Sequence, residues 1–195
     1  MLLDGTKGVE YRDAIERAYE IPGQTWPTEL TWLFDNLKNS KSHAEVGVYC
    51  GRSLFASCGG MSHTTVYLVD YDFPSLPGSK MPGPNWIRGV RDATLAAMSA
   101  ENSSLTFEEF RFGSMDAARA LFNRGILLDS VWIDASHEYE HVSGDIQAWR
   151  EIVKPGGLIC GHDYWPVHVG VMRAVNENFR NFEVPANTRI WFARL

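Results

Sequence analysis

Asp134, His137, His162 and Asp163 stand close together in the chain at the ends of two apolar runs. Asp134 closes the run Ser130 to Ile133, and His162 and Asp163 follow directly on the run Gly157 to Gly161. An imidazole placed three residues past a strand-end aspartate, as His137 is, can take a proton from a bound hydroxyl. Two carboxylates at one edge can hold a cation that lowers the pKa of that hydroxyl. Asp134, His137 and Asp163 would also suit a metal-dependent hydrolase. The plain structural alternative is that His137 caps the following helix and Asp134 merely pairs with it. His137, His141 and Asp145 fall at i, i+4 and i+8, a spacing that can bind zinc, although Glu138, Glu140 and Gly144 suit a solvated face.

These residues can act together only if both runs are strands of one sheet. Between them Val142, Ile146, Trp149 and Ile152 recur at helical spacing, and Pro155-Gly156-Gly157 marks a stop. Strand, helix and strand in that order form a βαβ unit with parallel strands. Asp134 and Asp163 then emerge on one carboxyl edge, where open α/β sheets bind ligands.

The segment EVGVYCGRS predicts a strand, Ala44 to Cys50, running into a glycine-bearing turn and a helix from Arg52-Ser53. Glu45, Gly47 and Gly51 have the spacing at which a nucleotide-like ligand approaches backbone, with free N–H groups at the helix start. The dinucleotide fingerprint would place a glycine where Tyr49 stands, which disfavours NAD. A second strand, Thr65 to Val69, ends at Asp70, about twenty residues on, from where a carboxylate can accept ribose hydroxyls of an adenosine ligand. Asp72 is its rival. A third strand, Leu105 to Phe112, leads to Gly113-Ser114, which can face an adenine edge. Alternatively, Ser114 or Asp116 caps the helix Ala117 to Phe122.

The rest of the chain sets bounds. Its 195 residues suit one domain, 1–195, with residues 1–40 as N-terminal helices (Val9 to Ile21, then one opening at Trp26-Pro27-Thr28) packing on the sheet or substrate side. A net charge of −6 argues against a nucleic-acid partner. No apolar stretch approaches the ~20 residues of a membrane span, and the N-terminus lacks a signal pattern, which makes the cytoplasm the default. Cys50, Cys58 and Cys160 match no zinc motif and read as reduced thiols. Phe73 to Trp86, rich in proline, predicts a lid or substrate loop. His43 reads as a surface residue, and among His63, His162 and His168 only His162 adjoins the site. A helix, Met172 to Phe179, and a last strand, Thr188 to Ala193, follow.

Through AEVGVYCGRS, VYLVDYD, FRFGSMD, IDASHEYEHVSGDIQAW, KPGGLICGHDYW and GVMRAV, the chain resembles the class I S-adenosylmethionine-dependent methyltransferases over roughly residues 25–195. The nearer resemblance is to the small-molecule O-methyltransferases that include macrolide-sugar methyltransferases. It implies a single-domain, doubly wound, Rossmann-like α/β sheet of seven mostly parallel strands, the last antiparallel, with helices on both faces. It implies S-adenosylmethionine held by Glu45, Gly47 and Gly51 at the methionine part, Asp70 at the ribose, and Gly113, Ser114 and Met115 at the adenine, with Asp134 beside them. It further implies methyl transfer to a hydroxyl of a small molecule, a sugar among the candidates, with His137 as general base. In such relatives magnesium is held at the positions of Asp134 and Asp163. They carry an acid where this chain has His162, which turns the set Asp134, Asp163 and His162 toward a softer ion than magnesium. The acceptor pocket would draw on Trp86, Tyr139, Tyr164 and Trp165. The oligomeric state, a homo-oligomer included, is left open.

Overall fold

The computed structural model describes residues 5–71 and 82–195, with side chains from Tyr11 onward. Asp72 and residues 73–81 of the expected proline-rich loop lie outside it. The elements run α1 (Gly5–Glu20), α2 (Pro27–Leu37), β1 (Ser42–Val46), α3 (Arg52–Cys58), β2 (Thr64–Val69), α4 (Pro84–Glu101), β3 (Leu105–Phe110), α5 (Ser114–Asn123), β4 (Leu128–Ile133), α6 (Tyr139–Arg150), β5 (Val153–Gly161), α7 (Val169–Asn178) and β6 (Trp191–Arg194). Every element that the sequence predicts is present, with boundaries moved by a few residues. Trp86 moves from the expected loop into α4, because Pro84 opens that helix at its first position.

The strands form one sheet in the order β3-β2-β1-β4-β5-β6. β1 runs parallel to β2 and β4, β4 runs parallel to β5, and β6 is antiparallel to β5. Among the described residues the sheet therefore has six strands rather than the expected seven. A single antiparallel bridge, Glu183 with Phe192, adds to it without extending into a strand.

Two compact units make up the chain, one from Met1–Asn39, Tyr49–Ser62 and Phe73–Leu105, the other from Ser40–Val48, His63–Asp72 and Thr106–Leu195. In the first, α1, α2 and α3 pack on one another. Arg52, at the start of α3, donates from Nε to the Ile21 carbonyl (2.5 Å) and from Nη1 to that of Thr25 (3.1 Å). In the second, one sheet face carries Ala44, Val46, Tyr67, Val69, Val131, Ile133 and Ile159. That face is closed by Ala117, Ala118 and Leu121 of α5, Val142, Ile146 and Trp149 of α6, and Val171, Ala174 and Val175 of α7. At about 1.5–3 kcal/mol for each large apolar side chain, this burial is what holds the strand ends in place.

The expected Pro-Gly-Gly stop proves to lie inside β5. α6 already ends at Arg150, with Glu151 as its C-cap. Register passes from Leu128 opposite Val153 to Ser130 opposite Leu158, so residues 154–157 bulge from the ladder. Lys154 uses that bulge to reach Asp129 (2.8 Å). Among the described residues no helix is long and apolar enough to cross a membrane.

Candidate active site

Gly47 follows β1 with φ +90°, a backbone region that side chains rarely adopt. A Cβ there would lie 2.0 Å from the Asp134 carbonyl oxygen, so glycine is required for the chain after β1 to pass that after β4. Its N–H donates to the Val69 carbonyl (2.8 Å), immediately before Asp70, and the Asp134 N–H donates to Val46 (2.7 Å). Gly47, Asp70 and Asp134 are thereby brought together at three adjacent strand ends. The Asp70 N–H in turn donates to Phe110 of β3 (3.2 Å), which ties in the turn carrying Phe112, Gly113, Ser114 and Met115.

That turn is open at its backbone. A Cβ on Gly113 would meet nothing nearer than Asp116 at 3.8 Å, and Phe112 and Met115 are exposed apolar side chains on either side. The cap expectation is corrected: Gly113 is the N-cap of α5, and neither Ser114 nor Asp116 fills that role. The Ser114 hydroxyl instead accepts from Trp149 Nε1 (2.8 Å) and donates to Asp145. Glu45 is fully buried, with His43 Nε2 3.9 Å away. His43 is not the expected surface residue; its Nδ1 lies 2.8 Å from Ser130 Oγ in the interior. Gly51, in the other unit, is the N-cap of α3 with φ +89°. Tyr49 takes a positive φ of 50° at the position where a dinucleotide fold would use glycine.

The reactive groups gather beyond β4 and β5. Asp163 adopts φ +58° and aims both carboxylate oxygens at imidazoles. Oδ2 lies 2.7 Å from His137 Nε2, and Oδ1 lies 3.5 Å from His162 Nδ1 and 3.6 Å from His168 Nε2. His162 Nδ1 is also 3.7 Å from Asp134. Burial raises the Asp163 carboxyl, but hydrogen bonds and charge from His162 and His137 outweigh it and hold it well below the usual carboxylate range. Burial has the last word at Asp134, where it is joined by the charges of Asp163 and Glu45 and pushes the carboxyl up to about 6 against His162 and His137.

One expectation fails on helix geometry. His137 precedes α6, whose N-cap is Glu138, so His137, His141 and Asp145 do not share a helical face. His141 bonds Ser136 (3.0 Å) and Asp145 bonds Ser114. The Tyr139 hydroxyl donates to Glu177 (2.5 Å) beneath Arg173, and Tyr164 meets Phe182 edge-on. Trp165 and Trp86 are the exposed rings of the expected four. His168, set aside on sequence, proves part of the cluster, its ring 4.0 Å from that of His137 between centroids. Only the strand-end pattern of GHDYW hinted at this, because the contact depends on α7 packing back across α6.

In fold the chain is similar to the O-methyltransferase from Bacillus cereus in complex with SAH, with TM-score 0.62 and 13% identity over 96% of this chain and 91% of that one. It is similar to a calicheamicin methyltransferase, with TM-score 0.62 and 13% identity over 100% of this chain and 94% of the other. A methyltransferase of the mycinamycin biosynthetic pathway, solved with Mg, SAH and mycinamycin VI, gives TM-score 0.57 and 15% identity over 95% of this chain and 54% of that one. No curated protein sequence matches the chain. The match to the family described as a methyltransferase domain spans residues 44–164, from β1 to the residue after Asp163, and so takes in each of these strand ends; the chain belongs to that family.

Proposed function

We propose that this methyltransferase moves a methyl group from S-adenosylmethionine to a hydroxyl of a small-molecule acceptor, a sugar being the class put forward, with His137 as the base. The observation that carries the reading is the 2.7 Å contact of His137 Nε2 with Asp163 at the strand edge shared by Gly47, Asp70 and Asp134. Asp70 is set for the ribose hydroxyls, and Gly113, Ser114 and Met115 for the adenine, where the open backbone and exposed Phe112 and Met115 fit a purine. Glu45 and Gly47 take the methionine side. Gly51 enters by its place in the chain, four residues after Gly47.

When bound, S-adenosylmethionine supplies an activated methyl on a sulfonium that leaves as a neutral thioether. The protein's tasks are then alignment and removal of the acceptor proton. With Nε2–H donated to Asp163, His137 keeps its lone pair on Nδ1, free to take that proton, and Asp163 stabilises the imidazolium that results. The strongly acidic Asp163 stays ionised for this role. Asp134, His162 and Asp163 also form a mixed nitrogen and oxygen donor set for a divalent ion, magnesium or a softer one, which when bound would lower the acceptor hydroxyl's pKa. Trp165, exposed and under the Arg189 guanidinium at 5.5 Å, offers the acceptor an aromatic face. The three cysteines are buried thiols without disulfides, which fits the cytoplasm.

Calorimetry with S-adenosylmethionine and S-adenosylhomocysteine, followed by release of the latter with candidate acceptors, tests this. His137→Ala is expected to lower turnover by about 10²–10⁴-fold while keeping nucleoside affinity. Failure of the native chain to bind either nucleoside would overturn the reading.

A further inference from the structure

A second group of metal-type donors overlaps the first without coinciding with it. One donor atom from each of His137, Asp163 and His168 lies within 4.8 Å of the others, and the two rings stack at 4.0 Å between centroids and 31° between planes. His137 lies before α6 and His168 is the residue on which α7 starts, so two helix entries converge on one carboxylate. Gly170 makes this convergence close, since a Cβ on it would sit 2.3 Å from the His137 carbonyl oxygen.

We propose that His137, Asp163 and His168 form a two-histidine, one-carboxylate site for a first-row transition ion of the zinc class, and that its occupation switches His137 off as a base. The donor chemistry selects the ion. Magnesium favours an oxygen shell and holds its waters, whereas two imidazoles and one carboxylate suit zinc, cobalt or nickel. Metal–ligand bonds of about 2.0–2.1 Å at tetrahedral angles separate donors by about 3.3 Å. His168 Nε2 stands 3.6 Å from Asp163 Oδ1 and His137 Nε2 2.7 Å from Asp163 Oδ2, so side-chain rotations have to bring both imidazoles to one carboxylate oxygen, from donor separations that are already within 4.8 Å. His137 and His168 are each partly open to solvent, which leaves an entry path and positions for water.

The switching follows from proton bookkeeping on one ring. A neutral imidazole carries one N–H. With Nε2–H bonded to Asp163, the lone pair is on Nδ1; with Nε2 on a metal ion, the proton moves to Nδ1, no proton is released, and the lone pair that removes the acceptor proton is gone. Metal occupancy and base function therefore exclude each other.

Co2+ titration of the full-length chain in chelator-stripped buffer, read by visible ligand-field absorption and followed by displacement with Zn2+, tests the site without reference to turnover. The expected result is bands in the native chain that persist in His162→Gln, which lacks the imidazole of the Asp134, His162 and Asp163 set, and that vanish when His168→Gln is added to it, with circular dichroism unchanged. His168→Asp restores a donor and gives bands shifted from the native ones. Absence of bands in the native chain, their loss in His162→Gln, their survival when His168→Gln is added to His162→Gln, or unshifted bands with His168→Asp in that same background overturns the proposal. Only the switching rests on His137 being the base. It predicts that Zn2+ suppresses S-adenosylhomocysteine release at least tenfold, that a chelator restores it, and that Zn2+ added to His168→Gln has a smaller effect. Zn2+ bound without effect on turnover refutes the switch while the site and the methyl-transfer reading stand.

Discussion

Asp163 gathers three imidazoles around one residue in a left-handed backbone conformation, which aspartate tolerates better than most. Asp163→Asn keeps the size and removes the charge. It is expected to lower kcat by about 10²–10⁴-fold in a methyl-release assay with little change in S-adenosylhomocysteine affinity, because His137, the proposed base, loses its orientation and its counter-charge together. A parallel collapse of affinity would mean that Asp163 supports the fold instead. Asp145 gives a separate, pH-dependent test. Burial pushes its carboxyl up to about 6 against the Ser114 hydrogen bond and His141. Its folded pKa lies above the unfolded value of about 3.9, so the folded state binds the proton more tightly. Stability from this group is full below about pH 4 and is lost as pH rises through about 6, by at most about 3 kcal/mol. Asp145→Asn should flatten urea-unfolding stability across that window and be the more stable at pH 7; Asp134, shifted in the same direction, leaves part of the slope. Identical pH slopes for the variant and the native chain would refute the assignment. Strand-end residues such as Asp70, Asp134 and Asp163 were legible in the sequence because apolar runs stop on them. The roles of Ser114 and His168 were not, since their partners arrive from elements distant in the chain.

Among elements, α7 is the one whose close approach builds the cluster, and glycine is what allows it. Gly170→Ala puts a Cβ against the backbone of His137 and Tyr139, at 2.3 and 2.8 Å, where no flexible side chain can yield. Thermal unfolding should show a loss of about 1–3 kcal/mol. kcat should fall as His137 and His168 are displaced, with nucleoside affinity kept. Gly89→Ala is the matched control: it lies inside α4, a Cβ there meets nothing within 4 Å, and it should gain about 0.5–1 kcal/mol from helix propensity alone. Equal effects of the two substitutions would remove the argument from close approach. Element types were read correctly from periodicity, since the stripe Val142, Ile146 and Trp149 is buried on α6 as its spacing required. Boundaries were not. The Pro155-Gly156-Gly157 signal marks a bulge within β5, stabilised by Lys154 with Asp129 and by Gly156 with the Leu195 carbonyl, contacts that no local pattern encodes.

Across the whole sheet, the order β3-β2-β1-β4-β5-β6 places a reversal at β1. The chain builds outward through β2 and β3 on one side, then through β4 and β5 on the other, and the turns after β1 and β4 diverge there. Ligands of open α/β sheets bind at such a reversal, and Gly47 and Asp134 flank this one. Strand and helix alternation was enough to foresee a parallel sheet and its ligand edge. It could not foresee that pairing beyond β6 would shrink to the Glu183 bridge, because that depends on register between segments with no hydrophobic pattern of their own. Apart from Gly51, the proposed nucleoside contacts belong to the second unit, and S-adenosylhomocysteine should raise the unfolding transition of the chain. A ligand that binds only the folded state adds about 2.7 kcal/mol at a hundred times its Kd, which for a chain of this length is a Tm rise of about 5–11 °C. Asp70→Asn, by weakening the ribose contact, should need more ligand for the same rise, whereas His137→Ala should follow the native curve. Were His137→Ala to lose the shift and Asp70→Asn to keep it, the nucleoside would be bound at the imidazole cluster and the division of labour along this strand edge would be reversed.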